Sequence, residues 1–214
     1  MTTEPGRPYH HGNLREALIA TGLTATRESG SRAIVLRDIA RRVGVSPNAV
    51  YRHFADRDAL LAAVALRIQE GMVERMLSLT TAPAPGMTTA RTRLHAVGVG
   101  YISFALAEPG WFEVAFAAPD ALIDELPAPG ELPPPLASLS SALDALVASG
   151  ELAPAARPGA EWPCWSAVHG FALLALHGPL QGLSVEEVQA AAARTVDTVI
   201  AGLLRDDPRP AGTP

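Results

Sequence analysis

The chain has 214 residues, of which 48% are hydrophobic, and a net charge of −5, so it is long enough to bury a sizeable core in one or two domains. Its single cysteine, Cys164, excludes an intramolecular disulfide, and there is neither a secretory signal after Met1 nor an uninterrupted apolar run of about 18 residues that would span a membrane. These features predict a soluble, cytoplasmic protein.

The first two predicted helices each end at a glycine. Leucines and alanines recur at helical spacing over residues 13–29, beginning at Asn13, which can cap the helix, and Gly30 follows. Over residues 36–43 the apolar side chains fall on one side of a short helix and three arginines on the other, and Gly44 follows.

A serine–proline pair and an aspartate mark the next two helices. The hydroxyl of Ser46 can cap a helix, and Pro47 at the first helical position has no N–H to leave unpaired, which predicts a third helix over residues 47–53. Asp56 caps a fourth, long helix that fades in the proline-containing segment 80–86.

The rest of the chain is also predicted to be helical. The proline-rich segment 119–135 predicts a surface connector, and residues 206–214 predict a disordered tail. No part of the sequence alternates as strands do, so the predicted fold class is all-α. The further predicted helices are residues 89–107, 109–116, 135–149, 160–177 and 185–204.

The second and third helices have the spacing of a helix-turn-helix motif. Such a motif needs a small residue where the helices touch, a turn residue that adopts a left-handed conformation, and a branched apolar residue that locks the second helix. Ala40, Gly44 and Val50 occupy these three positions. In that register Val45, Val50 and Phe54 point inward. The outer and end faces are then formed by Ser46, Pro47, Asn48, Ala49, Tyr51, Arg52 and His53.

These outer residue types suit a groove of B-DNA. Asparagine can bond to base edges, alanine and proline can touch a thymine methyl group, and serine, tyrosine, histidine and arginine can hold phosphate oxygens. Residues 1–57 contain nine arginines and five acidic residues, a balance of +4, whereas the balance of residues 58–214 is −9. Two short helices joined at a glycine also occur in ordinary helical bundles, but the positive charge of residues 1–57 favours DNA binding.

Two segments, LRDIARRVGVS and VYRHFADRDALL, carry a resemblance to a known family. Residues 9–61, which contain both segments, resemble the N-terminal DNA-binding domain of the tetracycline-repressor (TetR) family of bacterial transcription regulators. YHHGNLREAL resembles a subset of that family with a Trp-x-x-x-His-Gly element in the C-terminal half, here Trp165, His169 and Gly170. The resemblance implies that residues 47–53 are the recognition helix. It also implies phosphate contacts by Tyr51, His53 and Arg57.

The sequence departs from the family pattern at two positions. Val35 stands where the family usually has a serine or threonine that caps the second helix and contacts phosphate, and Arg57 replaces the more usual lysine. His10 and His11 are an alternative pair of metal ligands, but an arm near the DNA backbone is favoured, and no metal or other cofactor is predicted. The predicted DNA-binding residues are Arg37, Ser46, Pro47, Asn48, Ala49, Tyr51, Arg52, His53 and Arg57.

The domain organisation follows from the motif and the resemblance. We predict a flexible N-terminal arm at residues 1–8 and a three-helix, helix-turn-helix domain at residues 9–56. Residues 57–205 are predicted to form a helical ligand-sensing and dimerisation domain, and the disordered tail at residues 206–214 follows it.

A dimer is expected because one recognition helix contacts too few bases to be selective, and such proteins bind half-sites about one helical turn apart. The last two predicted helices are the candidate interface, since residues 160–177 are apolar nearly all round and the final helix has an apolar stripe. An ordinary core helix without a partner is the alternative. The stripe consists of Val188, Ala192, Val196, Val199 and Leu203.

Most of the large aromatic residues lie within residues 101–116. The resemblance implies that such helices enclose a cavity for a small-molecule effector. Trp165, His169 and His177 are the candidates for a wall and a polar anchor of that cavity. Aromatic residues at helical spacing are also typical of a plain core, so both interpretations stay open. The predicted ligand-binding residues are Phe104, Trp111, Phe112, Phe116, Trp165 and His169.

The predicted function is therefore a DNA-binding transcriptional regulator, a repressor that binds a palindromic double-stranded operator as a homodimer and is released by a small molecule. The alternative is an architectural DNA-binding protein that senses no ligand. An enzyme is not expected, since the sequence has no G-x-S-x-G, no phosphate-binding glycine loop and no H-E-x-x-H motif.

Overall fold

The computed structural model describes residues 14–79 and 86–205, and the regular structure of these residues is entirely helical, which confirms the predicted all-α class. The predicted arm, the Asn13 cap, the histidine pair and the tail lie outside the described residues. Among the described residues, short 3-10 helices occur at Gly30–Ala33, Pro154–Ala156 and Pro179–Gly182. The α-helices are α1 (Leu14–Ser29), α2 (Leu36–Val43), α3 (Pro47–Tyr51), α4 (Arg57–Ser78), α5 (Thr89–Ala107), α6 (Pro109–Ala115), α7 (Pro119–Glu125), α8 (Pro134–Ala148), α9 (Glu161–His177) and α10 (Val185–Leu203).

The turn between α2 and α3 has the predicted geometry. Gly44 is left-handed, with φ 81° and ψ 29°, and its N–H donates to the carbonyl oxygen of Ala40 at 2.9 Å. Ala40 is 1% exposed, as a residue at the contact between two helices must be. Val35 precedes α2 without a side-chain cap, as its apolar side chain requires.

The third helix is shorter than predicted. It ends at Tyr51, because the N–H groups of His53 and Phe54 both donate to the carbonyl oxygen of Val50 and close a tight turn. The predicted cap by Ser46 is wrong, since its side chain accepts no cap hydrogen bond. Its carbonyl oxygen accepts from the N–H of Ala49 at 2.9 Å instead.

The long helix α4 organises the core. Asp56 caps it as predicted, its Oδ1 accepting from the N–H of Ala59 at 2.9 Å. Helix α4 packs against α1, α5, α6, α7 and α8, and one hydrophobic cluster extends from α1 to α10. Helices α1 to α3, the predicted DNA-binding segment, therefore share a continuous core with the C-terminal helices.

The predicted connector at residues 119–135 is partly wrong, because it contains α7. Pro119 occupies the first turn, where a missing N–H costs nothing. Leu122 is 3% exposed and α7 packs against α4, while Glu125 pairs with Arg15 of α1. The high proline content of the segment concealed two turns of helix stabilised by tertiary contacts.

The apolar stripe of α10 faces the core of its own chain. Ala192 and Val196 are each 4% exposed, and a Cβ at Gly98 of α5 would lie 2.9 Å from Cγ2 of Val196. Val188, Val199 and Leu203 pack against the same core. The stripe is therefore not a free dimer surface, because it fills the groove that α5 presents to α10.

The described part of the chain contains no helix with both the length and the apolarity that a bilayer crossing requires.

Candidate DNA-binding surface and aromatic cluster

The recognition segment has a buried and an exposed side. Val50 is fully buried and Phe54 is 2% exposed, as predicted, with Val45 half-buried beside them. Of the predicted DNA-binding residues, those on the exposed side are Arg37, Ser46, Pro47, Asn48, Tyr51, Arg52, His53 and Arg57. The segment thus presents polar groups on a surface that the core holds in place.

The predicted outer position of Ala49 is wrong. Its exposed fraction is 8%, and it lies next to Val50 on the buried side of α3. A helix of five residues makes only about one and a half turns, so two consecutive residues fill its inward side.

The guanidinium group of Arg57 is engaged by the protein itself. Its Nη2 donates to the carbonyl oxygen of Ser31 at 2.7 Å and its Nε to that of Ile34 at 3.1 Å, and Nη1 lies 3.0 Å from Asp58. Arg57 therefore ties the segment between α1 and α2 to the start of α4. The predicted phosphate contact is an additional role for a group that already has a structural one.

Replacing Arg57 with alanine is expected to lower the free energy of unfolding by about 1 kcal/mol. This is less than the about 1.5–3 kcal/mol of a buried charged hydrogen bond, because the side chain is half exposed. Arg52→Ala is the matched control, since Arg52 is exposed in the turn after α3 and its loss should stay within about 0.5 kcal/mol. Urea unfolding followed by circular dichroism measures both. Equal values for the two variants would contradict the structural role.

Helix α6 contacts the DNA-binding segment directly. Nε1 of Trp111 donates to the carbonyl oxygen of Leu23 at 2.9 Å, and the Arg27 guanidinium lies 5.0 Å from the Trp111 ring centre. Nε of Arg27 also donates to Glu108 at 2.8 Å. Trp111 and Phe104 border a surface cleft beside α1, so neither joins the other predicted ligand-binding residues.

Four of the predicted residues and Tyr101 form one aromatic cluster between α5, α6 and α9. The ring centres of Tyr101 and Trp165 are 5.4 Å apart, and those of Phe112 and Phe116 are 5.6 Å apart. His169 lies 5.4 Å from Phe116, and its Nδ1 is 2.9 Å from the Tyr101 hydroxyl oxygen.

Burial favours the neutral forms of both Tyr101 and His169. Burial raises the pKa of Tyr101 and lowers the pKa of His169, since both charged forms would lose water. The Tyr101 hydroxyl can then donate to Nδ1 of a neutral imidazole.

Acidification is expected to destabilise the wild type more than His169→Gln. The pKa of His169 is lower in the folded protein than in the unfolded chain. As pH falls through about 6.5, the unfolded chain therefore takes up a proton before the folded protein does. The folded state loses stability until the pH falls below the pKa that His169 has in the folded protein. Glutamine keeps an acceptor for Tyr101 but does not titrate. Thermal unfolding at about pH 7.5 and about pH 5.5 measures the difference. An equal drop in both proteins would contradict it.

Three spaces surround the cluster. A cavity of about 30 Å³ lies between α5, α9 and α10, and Cys164 lines it; burial raises the pKa of that thiol to about 11. A groove of about 270 Å³ is lined by Phe116 and Trp165, and a cleft of about 570 Å³ separates Arg32 from His169. Within residues 14–79 and 86–205, no three His, Cys, Asp or Glu side chains are grouped to hold a metal ion.

No curated protein matches the chain in sequence. The family model for bacterial regulatory proteins of the tetR family matches residues 18–64, and the model for the tetracyclin repressor-like C-terminal domain matches residues 94–199. The chain belongs to the TetR family. Proteins of this family are DNA-binding transcription regulators with a C-terminal ligand-binding domain, so the predicted class of function is confirmed.

Solved structures share the fold of this TetR-family chain. A protein with unknown function from Rhodococcus sp. RHA1 is 31% identical, with a TM-score of 0.63 over 93% of this chain and 100% of its own. A TetR variant from Acinetobacter baumannii AYE in complex with minocycline is 20% identical, with a TM-score of 0.62 over 93% and 97%. The regulator FadR from Bacillus subtilis in complex with stearoyl-CoA is 15% identical, with a TM-score of 0.63 over 87% and 98%.

One polar residue near the aromatic cluster was not identified from the sequence. Gln69 of α4 is 2% exposed, and its Nε2 donates to the carbonyl oxygen of Ala115 at 2.7 Å. Among the described residues its Oε1 has no hydrogen-bond partner, which costs about 1–3 kcal/mol. The available signal was its position, since Gln69 interrupts the apolar spacing of Ala65, Met72 and Met76.

Proposed function

We propose that this TetR-family chain is a repressor that binds a palindromic operator as a homodimer and releases it when a small molecule occupies the C-terminal domain. The observation that carries the proposal is the exposed polar side of α3, where Asn48 and Tyr51 follow Ser46 on a segment whose other side is buried. Asparagine can bond to base edges, and hydroxyl groups can hold phosphates. The protein would act on chromosomal DNA in the cytoplasm.

The homodimer is proposed to form through the outward face of α9. Leu173 and Leu174 are 43% and 48% exposed there, although both are apolar. A Cβ at Gly170, one turn earlier, would meet no atom within 4 Å, so the backbone is open to close approach by another helix. Two copies related by a two-fold axis would cover both leucines and place two α3 helices on successive half-sites.

Release is proposed to pass through α6. This helix carries Phe112 of the aromatic cluster and holds α1 through Trp111 and Arg27, so a ligand that displaces the cluster also displaces the DNA-binding segment. Such a ligand acts only if it binds one geometry better than the other. A coupling of about 1–3 kcal/mol would weaken operator binding about 5- to 150-fold.

Sedimentation and mobility-shift assays with genomic fragments at low salt test the proposal. We expect a dimer that shifts a small number of palindromic fragments. A monomer that binds no fragment would refute both the dimer and the operator. Genome-wide occupancy distinguishes the alternative, since hundreds of sites without palindromic sequence would indicate an architectural protein.

A further inference from the structure

The buried amide of Gln69 has a defined orientation. The carbonyl oxygen of Ala115 can only accept, so the nitrogen of the Gln69 amide must face it at 2.7 Å. The opposite assignment would bring two oxygens together. Oε1 is therefore left as an acceptor, and within the described residues nothing donates to it.

The groove of about 270 Å³ beside Gln69 is apolar and aromatic. Phe116, Trp162 and Trp165 form aromatic walls, and Leu122 of α7 contributes an aliphatic one. None of the described residues that line it is charged, so a charged ligand group would lose water there without gaining a counterion. Trp162 is 61% exposed, which places a large aromatic ring where the groove meets solvent.

We propose that this groove binds an uncharged aromatic molecule that donates one N–H or O–H hydrogen bond to Oε1 of Gln69. This inference rests on the ligand-sensing part of the proposed function and specifies the chemistry of the effector. The aromatic walls supply contact area, and the unpaired acceptor supplies selectivity, because a ligand without a donor leaves it unpaired.

Gln69 also connects the groove to the rest of the molecule. Its amide joins α4, the helix that follows α3 along the chain, to the last residue of α6, Ala115. A ligand that engages Oε1 therefore contacts the side chain that holds these two helices together.

Matched pairs of ligands test the chemistry on the full-length protein without DNA. Indole and 1-methylindole differ by one N–H donor, and 2-naphthol and 2-methoxynaphthalene differ by one O–H donor. We expect isothermal titration calorimetry to show that the donor-bearing member of at least one pair binds about tenfold more tightly, which is about 1.4 kcal/mol. Equal affinities in both pairs, or no binding of any member at its solubility limit, would overturn the proposal.

Substitutions test whether Gln69 is the source of the preference for donor-bearing ligands. Gln69→Leu is expected to bind both members of a pair equally, whereas Gln189→Leu, the same change at an exposed position on α10, should keep the tenfold preference. Gln69→Leu also loses the bond to Ala115, so its fold is checked by thermal unfolding. Trp162→Ala replaces an exposed side chain and should weaken the binding of both members of a pair about equally. This variant tests the groove even if Gln69→Leu does not fold. A preference that survives in folded Gln69→Leu, or an unchanged affinity in Trp162→Ala, would overturn the site.

The outcome is separable from that of the proposed function. If the preferred ligands bind but leave operator affinity unchanged, the groove and its chemistry stand and the release mechanism fails. If no ligand binds while the dimer shifts palindromic DNA, the groove fails and the repressor stands.

Discussion

Replacing Asn48 with alanine is expected to lower affinity for the specific operator at least about 25-fold. An amide that bonds to a base edge contributes about 1–3 kcal/mol of discrimination, and a dimer makes the contact twice, so roughly 2–6 kcal/mol is lost. Asn48 is exposed on α3 beside a fully buried Val50, so the change should leave the fold intact. Binding to random DNA should be unchanged.

Tyr51→Phe is the matched control for Asn48→Ala. Tyr51 is 52% exposed, and its hydroxyl is the group predicted to hold a phosphate. Its removal should weaken binding to specific and random DNA alike, and it should leave the slope of log K against log salt unchanged, because the hydroxyl is neutral and its loss releases no counterion. Fluorescence anisotropy over a salt series measures both variants. If Asn48→Ala loses equal affinity for specific and random DNA, Asn48 does not bond to a base edge.

Replacing Gly100 with alanine is expected to lower the free energy of unfolding by about 1–3 kcal/mol, the usual cost of overpacking. A Cβ at Gly100 would lie 2.6 Å from the Cα of Met76, so the two backbones of α5 and α4 must separate. Because α4 packs on the DNA-binding segment as well as on α5, the strain should reach both. For a chain of this length, each kcal/mol lowers the melting temperature by about 2–4 °C.

Gly71→Ala provides the opposite expectation on α4. A Cβ at Gly71 would meet no atom within 4 Å, so alanine adds helix propensity without a clash. We expect a gain of about 0.5–1 kcal/mol. Differential scanning calorimetry of both variants measures the contrast. A Gly100→Ala protein as stable as Gly71→Ala would show that the α4–α5 approach is not as close as 2.6 Å implies.

The local elements were predictable because their signals are local. Gly44 ends α2 since a left-handed residue is needed there, and Asp56 starts α4 since its carboxylate reaches the N–H three residues on. Helix α7 escaped prediction because its sequence, PDALIDE, is too short for apolar periodicity. Only burial of Leu122 against α4 and the pairing of Glu125 with Arg15 reveal why it forms.

The candidate sites were predictable in part. The sequence identified the exposed side of α3, but not that Ala49 is buried or that Arg57 holds two backbone carbonyls of the preceding segment. Among the aromatic residues it could not separate Trp111, which faces α1, from Phe116, which faces α9. Both are aromatic residues at helical spacing, and the partner helix differs only in three dimensions.

By itself the sequence determined the all-α class, the helix-turn-helix and the family, because these depend on residue types at short, regular spacing. Tertiary structure alone decided which apolar face is covered. The stripe of α10 is buried by α5 of the same chain, whereas Leu173 of α9 stays exposed. It also decided that, among the described residues, Gln69 carries an unpaired acceptor. Burial and hydrogen-bond satisfaction are properties of neighbours distant in the chain, and no local pattern encodes them.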